Sequence, residues 1–257
     1  MNYLLFMMGG VGSRTKKSIP KQYILINGIP IFAYTLKKYD TLDFIDKILI
    51  VADKKYENYI NKWMKKLNIS KVASIVQGGD YRSKSVLNGM KKCNEFARKN
   101  DILIVHDASS PYVDDEKIKE GIKEAQKGIF VSLGTKQCVT VYSIDEKNMI
   151  NNIIPRDYVA PGACPDIFRF KDIFNIYNNS NENDLKNATS SIMLGIENNI
   201  KSKIIFSDLL PIKITYEEDI RIFRKLVDLY YFPNFKEEYI NLLEYDDETI
   251  LDIKKNI

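Results

Sequence analysis

The chain is poor in the residues that most often carry enzyme chemistry or hold a small fold together. It has three cysteines in 257 residues, Cys93, Cys138 and Cys164, widely spaced and with no CxxC pair. An odd count with that spacing indicates neither a disulfide framework nor a zinc site, and fits a reducing compartment. No apolar run approaches membrane-spanning length, and the opening "YLLFMM" is too short and lacks the basic flank of a signal segment. A cytoplasmic protein with no membrane association is the expectation. Charge of one sign is also lacking: 38 basic against 34 acidic residues leave a net charge of +4, too mild to argue for a nucleic-acid partner. There is one histidine, His106, beside Asp107; it reads as a packing or hydrogen-bonding residue rather than a catalytic base. Internal repeats and low-complexity linkers are absent.

What is present is a rhythm. Short apolar runs ("YLLFMM", "DKILIVAD", "KVASIVQ", "DILIVHD", "IFVSLG") alternate with helical patterns ("IPIFAYTLKKYD", "KKYENYINKWMKKLN", "RSKSVLNGMKKCNEFARKN", "DEKIKEGIKEAQKG"). Gly128 closes the last of these as a helix stop. Such alternation predicts an α/β fold: an open, doubly wound, mostly parallel sheet with helices on both faces. The rhythm breaks at "QCVTVYSIDEKNMINNIIP", which reads as an inserted hairpin. "FKDIFNIYNN" and "LKNATSSIMLG" read as helices, "KSKIIFSD" and "PIKIT" as short strands. "YEEDIRIFRKLVDLYYF" reads as a helix with a capping box from Thr215 to Glu218. The division expected is one domain over 1–232, with a hairpin arm at about 137–156, and a helical extension over 233–257.

In such sheets a ligand sits outside the carboxyl ends of the strands. Three stretches fall there: "MMGGVGSRTKKSIPKQY", "QGGDYRSKS" and "HDASSP". The first is not a dinucleotide loop, because Thr15 stands where G-x-G-x-x-G needs its third glycine, and it does not fit G-x-x-x-x-G-K-[ST] either. Gly9, Gly10 and Gly12 let backbone N–H groups approach an anion, and Arg14 and Lys21 add charge at the loop's two ends, a composition suited to a triphosphate. Lys16 and Lys17 read as solvated bystanders.

On these residues the chain resembles the cytidylyltransferases that act on 2-C-methylerythritol 4-phosphate or ribitol 5-phosphate. "GGVGSR" followed by "PKQY" is similar to that family's glycine loop and P-K-Q-[YF]. "GGDYRSKSVLNGM", "VHDASSPYV", "PRDYVAPGACPDIF" and "PIKITYEEDI" follow in the family's order, over roughly residues 3 to 230. The resemblance implies a Rossmann-like, GT-A-like nucleotidyltransferase with a hairpin dimerisation arm, transferring a cytidylyl group from CTP to a phosphorylated small molecule. The nucleophile would be a phosphate oxygen already anionic near pH 7, so positioning and charge neutralisation suffice without a general base.

Residue by residue, the match implies that Arg14 and Lys21 hold the triphosphate, that Asp107 binds Mg²⁺, and that Lys213 bridges the α-phosphate and the acceptor phosphate. Met8, Gly9, Gly79, Asp80 and Ser85 would meet the base or ribose, with Gly10 and Gly12 on the phosphates. Arg82 would be electrostatic support. Arg156 would bind the acceptor phosphate, reaching into a neighbouring subunit of a homodimer, and Lys186 would lie on the acceptor side.

The acceptor half departs from the family pattern. Ser110 stands for its arginine, Gln137–Cys138 for a D-T pair, Gly162 to Asp166 for Q-T-P-Q, Lys186–Asn187 for a T-D pair, and Pro211 for asparagine. The departures point to another phosphorylated polyol or related metabolite, destined for a cell-surface polysaccharide, with the ribitol-type members closer. Two other readings stay open: a nucleotide-binding homologue with weak or no catalysis, and a nucleotide-sugar glycosyltransferase. Against the latter, no D-x-D ends a strand; "VDD" at Val113 to Asp115 opens a helix.

Overall fold

A computed structural model describes residues 1–9, 19–208 and 212–227. In chain order the elements are β1 (Asn2–Met7), β2 (Leu25–Ile26), β3 (Ile29–Pro30), α1 (Ile31–Thr41), β4 (Lys47–Ala52), α2 (Glu57–Lys66), β5 (Val72–Gln77), α3 (Arg82–Cys93), β6 (Ile102–Asp107), α4 (Asp115–Gln126), β7 (Phe130–Gly134), β8 (Val141–Ile144), β9 (Ile150–Ile154), β10 (Gly162–Arg169), α5 (Phe170–Asn179), α6 (Glu182–Asn187), α7 (Ser191–Glu197), β11 (Ser202–Phe206) and α8 (Glu217–Leu226).

Seven strands form one sheet in the order β11-β7-β10-β6-β1-β4-β5. All neighbours are parallel except β10, which runs antiparallel between β6 and β7. The continuous apolar runs have the cause expected of buried strands: successive side chains serve opposite layers. Leu4 and Phe6 face a core shared with α1, α2, α4 and α8, whereas Tyr3 and Leu5 face one shared with α3, α5 and α7. A fully buried Phe6 contributes roughly 1.5–3 kcal/mol by leaving water. Helix α3 lies close on the sheet because Gly89 faces it; a Cβ there would stand 2.8 Å from Val51 Cγ2.

The inserted hairpin is present as β8 and β9, and its apolar side chains are out in solvent: Met149 is 63%, Ile150 61% and Ile153 59% exposed. The helix at "DEKIKEGIKEAQKG" ends as read, with Gly128 at φ +85°. Asp114 caps it by accepting from Lys117 N at 3.1 Å, which is what "VDD" does.

"GACPDIF", to which no element was assigned, is the interior strand β10. Three expectations are corrected. "LKNATSSIMLG" is two helices, broken where Ser190 Oγ accepts from Met193 N and starts α7. Residues 212–215 of "PIKIT" form no strand, with one backbone bond from Ile214 N to Ser109 O at 2.8 Å. At α8 the residue that reaches back is Asp219, not Glu218: its carboxylate accepts from Thr215 N and Tyr216 N at 2.7 and 2.8 Å. The extension expected over 233–257 lies outside the described residues. No described helix is long and apolar enough to cross a membrane.

Candidate active site

The parallel strands β1, β4, β5 and β6 end on one edge, and their ladder continues just past the strands. Met8 N donates to Val51 O, Gly78 N to Ala52 O, and Ala108 N to Met7 O, at 2.7 to 2.9 Å. This fixes the backbone from which Gly9, Gly79 and Asp107 emerge.

Lys21 opens a short helical turn, Lys21–Tyr23. The next two residues anchor that turn. Gln22 Nε2 donates to Met8 O at 2.6 Å, and Tyr23 is buried and stacked on Tyr56 with ring centroids 4.1 Å apart. In "PKQY", then, glutamine and tyrosine hold the turn and lysine faces the cavity. On the other side, Ser85 Oγ accepts from Gly79 N at 2.9 Å and ties the 78–81 turn to α3. A side chain at Gly79 would meet Lys84 Cγ at 2.3 Å, so the turn's tightness needs glycine.

A cavity of about 310 Å³ lies between them, lined by Met8, Gly9, Lys21, Gly79, Asp80 and Ser85, and closed at one end by Arg82, Asp107 and Lys213. A second, of about 530 Å³, begins at the same Arg82, Asp107 and Lys213 and continues along Ser110, Ser132, Cys164, Asp166, Thr189, Ser190 and Lys203. The two cavities share this three-residue wall.

Asp107 is the centre of the wall. Arg82 Nε and Nη2 donate to its Oδ1 at 3.3 and 3.1 Å, and Lys213 Nζ donates to Oδ2 at 2.9 Å. Burial alone would raise the Asp107 carboxyl, but Arg82 and Lys213 outweigh it and hold it down at about 2. It is an anion at any working pH. Burial likewise pulls on Lys213, and the Asp107 carboxylate reverses this, so the ammonium keeps its charge. Lys213 is carried by the 212–215 segment, which buried Ile214 pins to Ser109.

Within the larger cavity Asp166 is buried and accepts from Ser132 Oγ at 2.7 Å. Burial pushes its carboxyl up to about 6, against the pull of Ser132 and Arg82. Burial also pushes the Cys164 thiol up to about 12.

His106 sits outside this chemistry. It is fully buried, and burial lowers its pKa to about 4. Ser110 O, 2.6 Å from Nε2, can only accept, so Nε2 carries the proton and Nδ1 accepts from the Tyr39 hydroxyl at 2.8 Å. Both nitrogens are committed to packing.

Thus Met8, Gly9, Lys21, Gly79, Asp80, Ser85, Asp107 and Lys213 come together. Gly10, Gly12 and Arg14, with Lys16 and Lys17, lie outside the described residues. Arg156 and Lys186 line neither cavity. Arg156 is exposed beside the hairpin, where Nη1 donates to Cys138 O at 3.3 Å. Lys186 is paired with Glu182 at 3.1 Å, with its Nζ 6.0 Å from the Tyr81 ring centre. Arg82, expected as electrostatic support, pairs with Asp107; Asp166 was given no part in the sequence reading. The available signal for Asp166 was the acid standing in a Q-T-P-Q position. For Arg82 none was local, since its partner is 25 residues away.

Comparison with known proteins agrees with this geometry. The family profile described as IspD, 2-C-methyl-D-erythritol 4-phosphate cytidylyltransferase, matches residues 3–228. The chain is similar to the ribitol-5-phosphate cytidylyltransferase of Vibrio parahaemolyticus serotype O3:K6, with 29% identity over 89% of this chain and 96% of the relative. It is also similar to the 2-C-methyl-D-erythritol 4-phosphate cytidylyltransferase of Clostridium acetobutylicum, with 31% identity over 86% of this chain and 94% of the relative. Among solved structures, 4-diphosphocytidyl-2C-methyl-D-erythritol synthase from Anaerococcus prevotii shares the fold, with a TM-score of 0.75, 24% identity, and coverage of 89% of this chain and 96% of that one. A profile spanning most of the chain, and relatives matched over nearly their whole length, lead to one conclusion: the protein is a nucleotidyltransferase belonging to the 2-C-methyl-D-erythritol 4-phosphate cytidylyltransferase (IspD) family.

Proposed function

We propose that the smaller cavity takes CTP, the larger one takes a phosphorylated polyol, and the wall between them is where the cytidylyl group changes hands. The observation that carries this reading is the Arg82–Asp107–Lys213 cluster facing both cavities. An oxygen of the acceptor phosphate attacks the α-phosphorus, the bond to the β-phosphate oxygen breaks, and pyrophosphate leaves. No proton need be removed from the nucleophile, which suits a site whose histidine is buried and neutral. Lys213 and Arg82 neutralise charge at the α-phosphorus, and Lys21 holds the departing phosphates.

The donor set fits Mg²⁺, which takes one or two carboxylates and completes its shell with phosphate oxygens and water. Asp107 would hold it, and the ion would supply charge neutralisation on the phosphates. Lys21 and Lys213 position the same phosphates through their own ammonium groups.

The apolar hairpin supports a homodimer in which two arms cover one another, and in that dimer Arg156, exposed at its base, would serve the partner's acceptor site. A cytoplasmic enzyme feeding a CDP-activated polyol to a surface polysaccharide fits this reading. The test is pyrophosphate release with each of the four nucleoside triphosphates, Mg²⁺ and a panel of polyol phosphates that includes ribitol 5-phosphate and methylerythritol 4-phosphate. Release with CTP and one acceptor is expected. CTP binding without release for any acceptor would refute transfer.

A further inference from the structure

The larger cavity carries a feature that phosphate chemistry does not require. Asp166 is 8% exposed, yet it lines the cavity, and Ser132 Oγ donates only to its Oδ1. Among the described residues no donor meets Oδ2. Oδ2 opens onto the cavity, where water can supply its donor, and a ligand group that takes the water's place there must itself donate. The phosphate cannot, because a phosphate dianion next to a carboxylate is repelled and Arg82 and Lys213 draw it to the shared wall. Something that donates hydrogen bonds must face Asp166.

The rest of the lining indicates which donor. Ser110, Ser132, Thr189, Ser190 and Ser202 bring hydroxyls to the cavity lining, whereas a quaternary ammonium group would call for an aromatic cage and only Tyr112 is there. Away from the Asp107 end, a hydroxyl-lined wall with the Asp166 carboxylate matches a chain of carbons each bearing a hydroxyl.

We infer that Asp166 is a specificity-determining residue that accepts a hydrogen bond from one hydroxyl on the acceptor's carbon chain, away from its phosphate. This rests on the reading of the larger cavity as the acceptor site. Asp166 selects hydroxylated acceptors, refuses a carboxylate at that position, and takes no part in binding CTP.

The experiment compares kcat/KM for pentitol phosphates that each lack one hydroxyl, in the native enzyme and in Asp166→Asn. One deoxy acceptor should lose about 10- to 100-fold in the native enzyme, as for a hydrogen bond to a charged group. Asp166→Asn should lose a similar factor on the full acceptor, should no longer discriminate at that hydroxyl, and should keep the native KM for CTP. If every deoxy acceptor lies within threefold of the parent in the native enzyme, or if the variant discriminates as the native enzyme does, the inference fails while the transfer reaction stands. The native-enzyme comparison decides this even where the variant folds poorly. Turnover with amino-alcohol phosphates and not with polyol phosphates would overturn it, since the carboxylate would then read an ammonium. If the native enzyme transfers to no acceptor, the proposed function fails and this inference with it.

Discussion

Asp166→Asn is expected to make the protein more stable at neutral and alkaline pH while making it a poorer enzyme. In the folded chain burial moves the Asp166 carboxyl from 3.8 up to about 6. The folded state therefore holds that proton more tightly than the unfolded state. Stability is undiminished below the unfolded value, falls as pH rises through the interval, and carries the full cost above about 6. At 1.36 kcal/mol per pH unit that cost is about 3 kcal/mol at pH 8 and about half of it at pH 5. Asparagine keeps an Oδ1 for Ser132 to donate to and never ionises. For a chain of this size each kcal/mol moves Tm by about 2–4 °C, so the variant should melt roughly 6–12 °C higher at pH 8. Thermal or urea unfolding of both proteins from pH 5 to pH 8 reads the effect. A variant no more stable than the parent at pH 8, or a gain that does not shrink toward pH 5, would refute the argument that burial strains this carboxylate. If the gain is found, the native residue is a case of stability given up for substrate selection.

Lys21→Ala and Asp107→Ala should each lower kcat by about a hundredfold or more, on the scale of losing a charge contact made in the transition state, as read by pyrophosphate release; near-native turnover would remove that residue from the mechanism. His106→Phe strands the Tyr39 hydroxyl and the Ser110 carbonyl and should cost about 2–4 kcal/mol in urea unfolding. Its kcat should stay within a few fold, because both imidazole nitrogens serve packing; a collapse of kcat with the fold intact would contradict that. If the chain assembles as the proposed homodimer, charging the hairpin by Ile150→Glu with Ile153→Glu should convert it to monomer in sedimentation velocity, and a persistent dimer would assign assembly to another surface.

Strands buried on both faces were the easiest part of the sequence to read. β1, β4 and β6 are continuous apolar runs because both layers demand apolar side chains. β10 was invisible for the converse reason. Its first half, "GACP", carries glycine and proline, which locally signal a loop, and only long-range pairing with β6 and β7 makes it a strand. Lys213 was found by its motif although its local structure was misjudged; one bond from Ile214 holds the segment where a ladder was expected. Asp107 and Lys21 were singled out through their motifs, "HDASSP" and "PKQY", and Asp107 also ends a strand, β6. The convergence of Arg82 with Asp107, and of Asp166 with Ser132, joins residues 25 and 34 positions apart and could appear only once the sheet was assembled.

The order in which the two cavities are written along the chain has a consequence for how such an enzyme diversifies. Apart from Lys213, every described residue lining the smaller cavity precedes residue 110; apart from Arg82 and Asp107, every one lining the larger cavity follows residue 109. On the proposed assignment the gene is thus divided into a donor half and an acceptor half near a single point. A crossover there between two relatives would exchange the acceptor wall as a block, hairpin included, and of the smaller cavity's described lining would replace only Lys213. New acceptors can be tried by recombination without relearning the nucleotide.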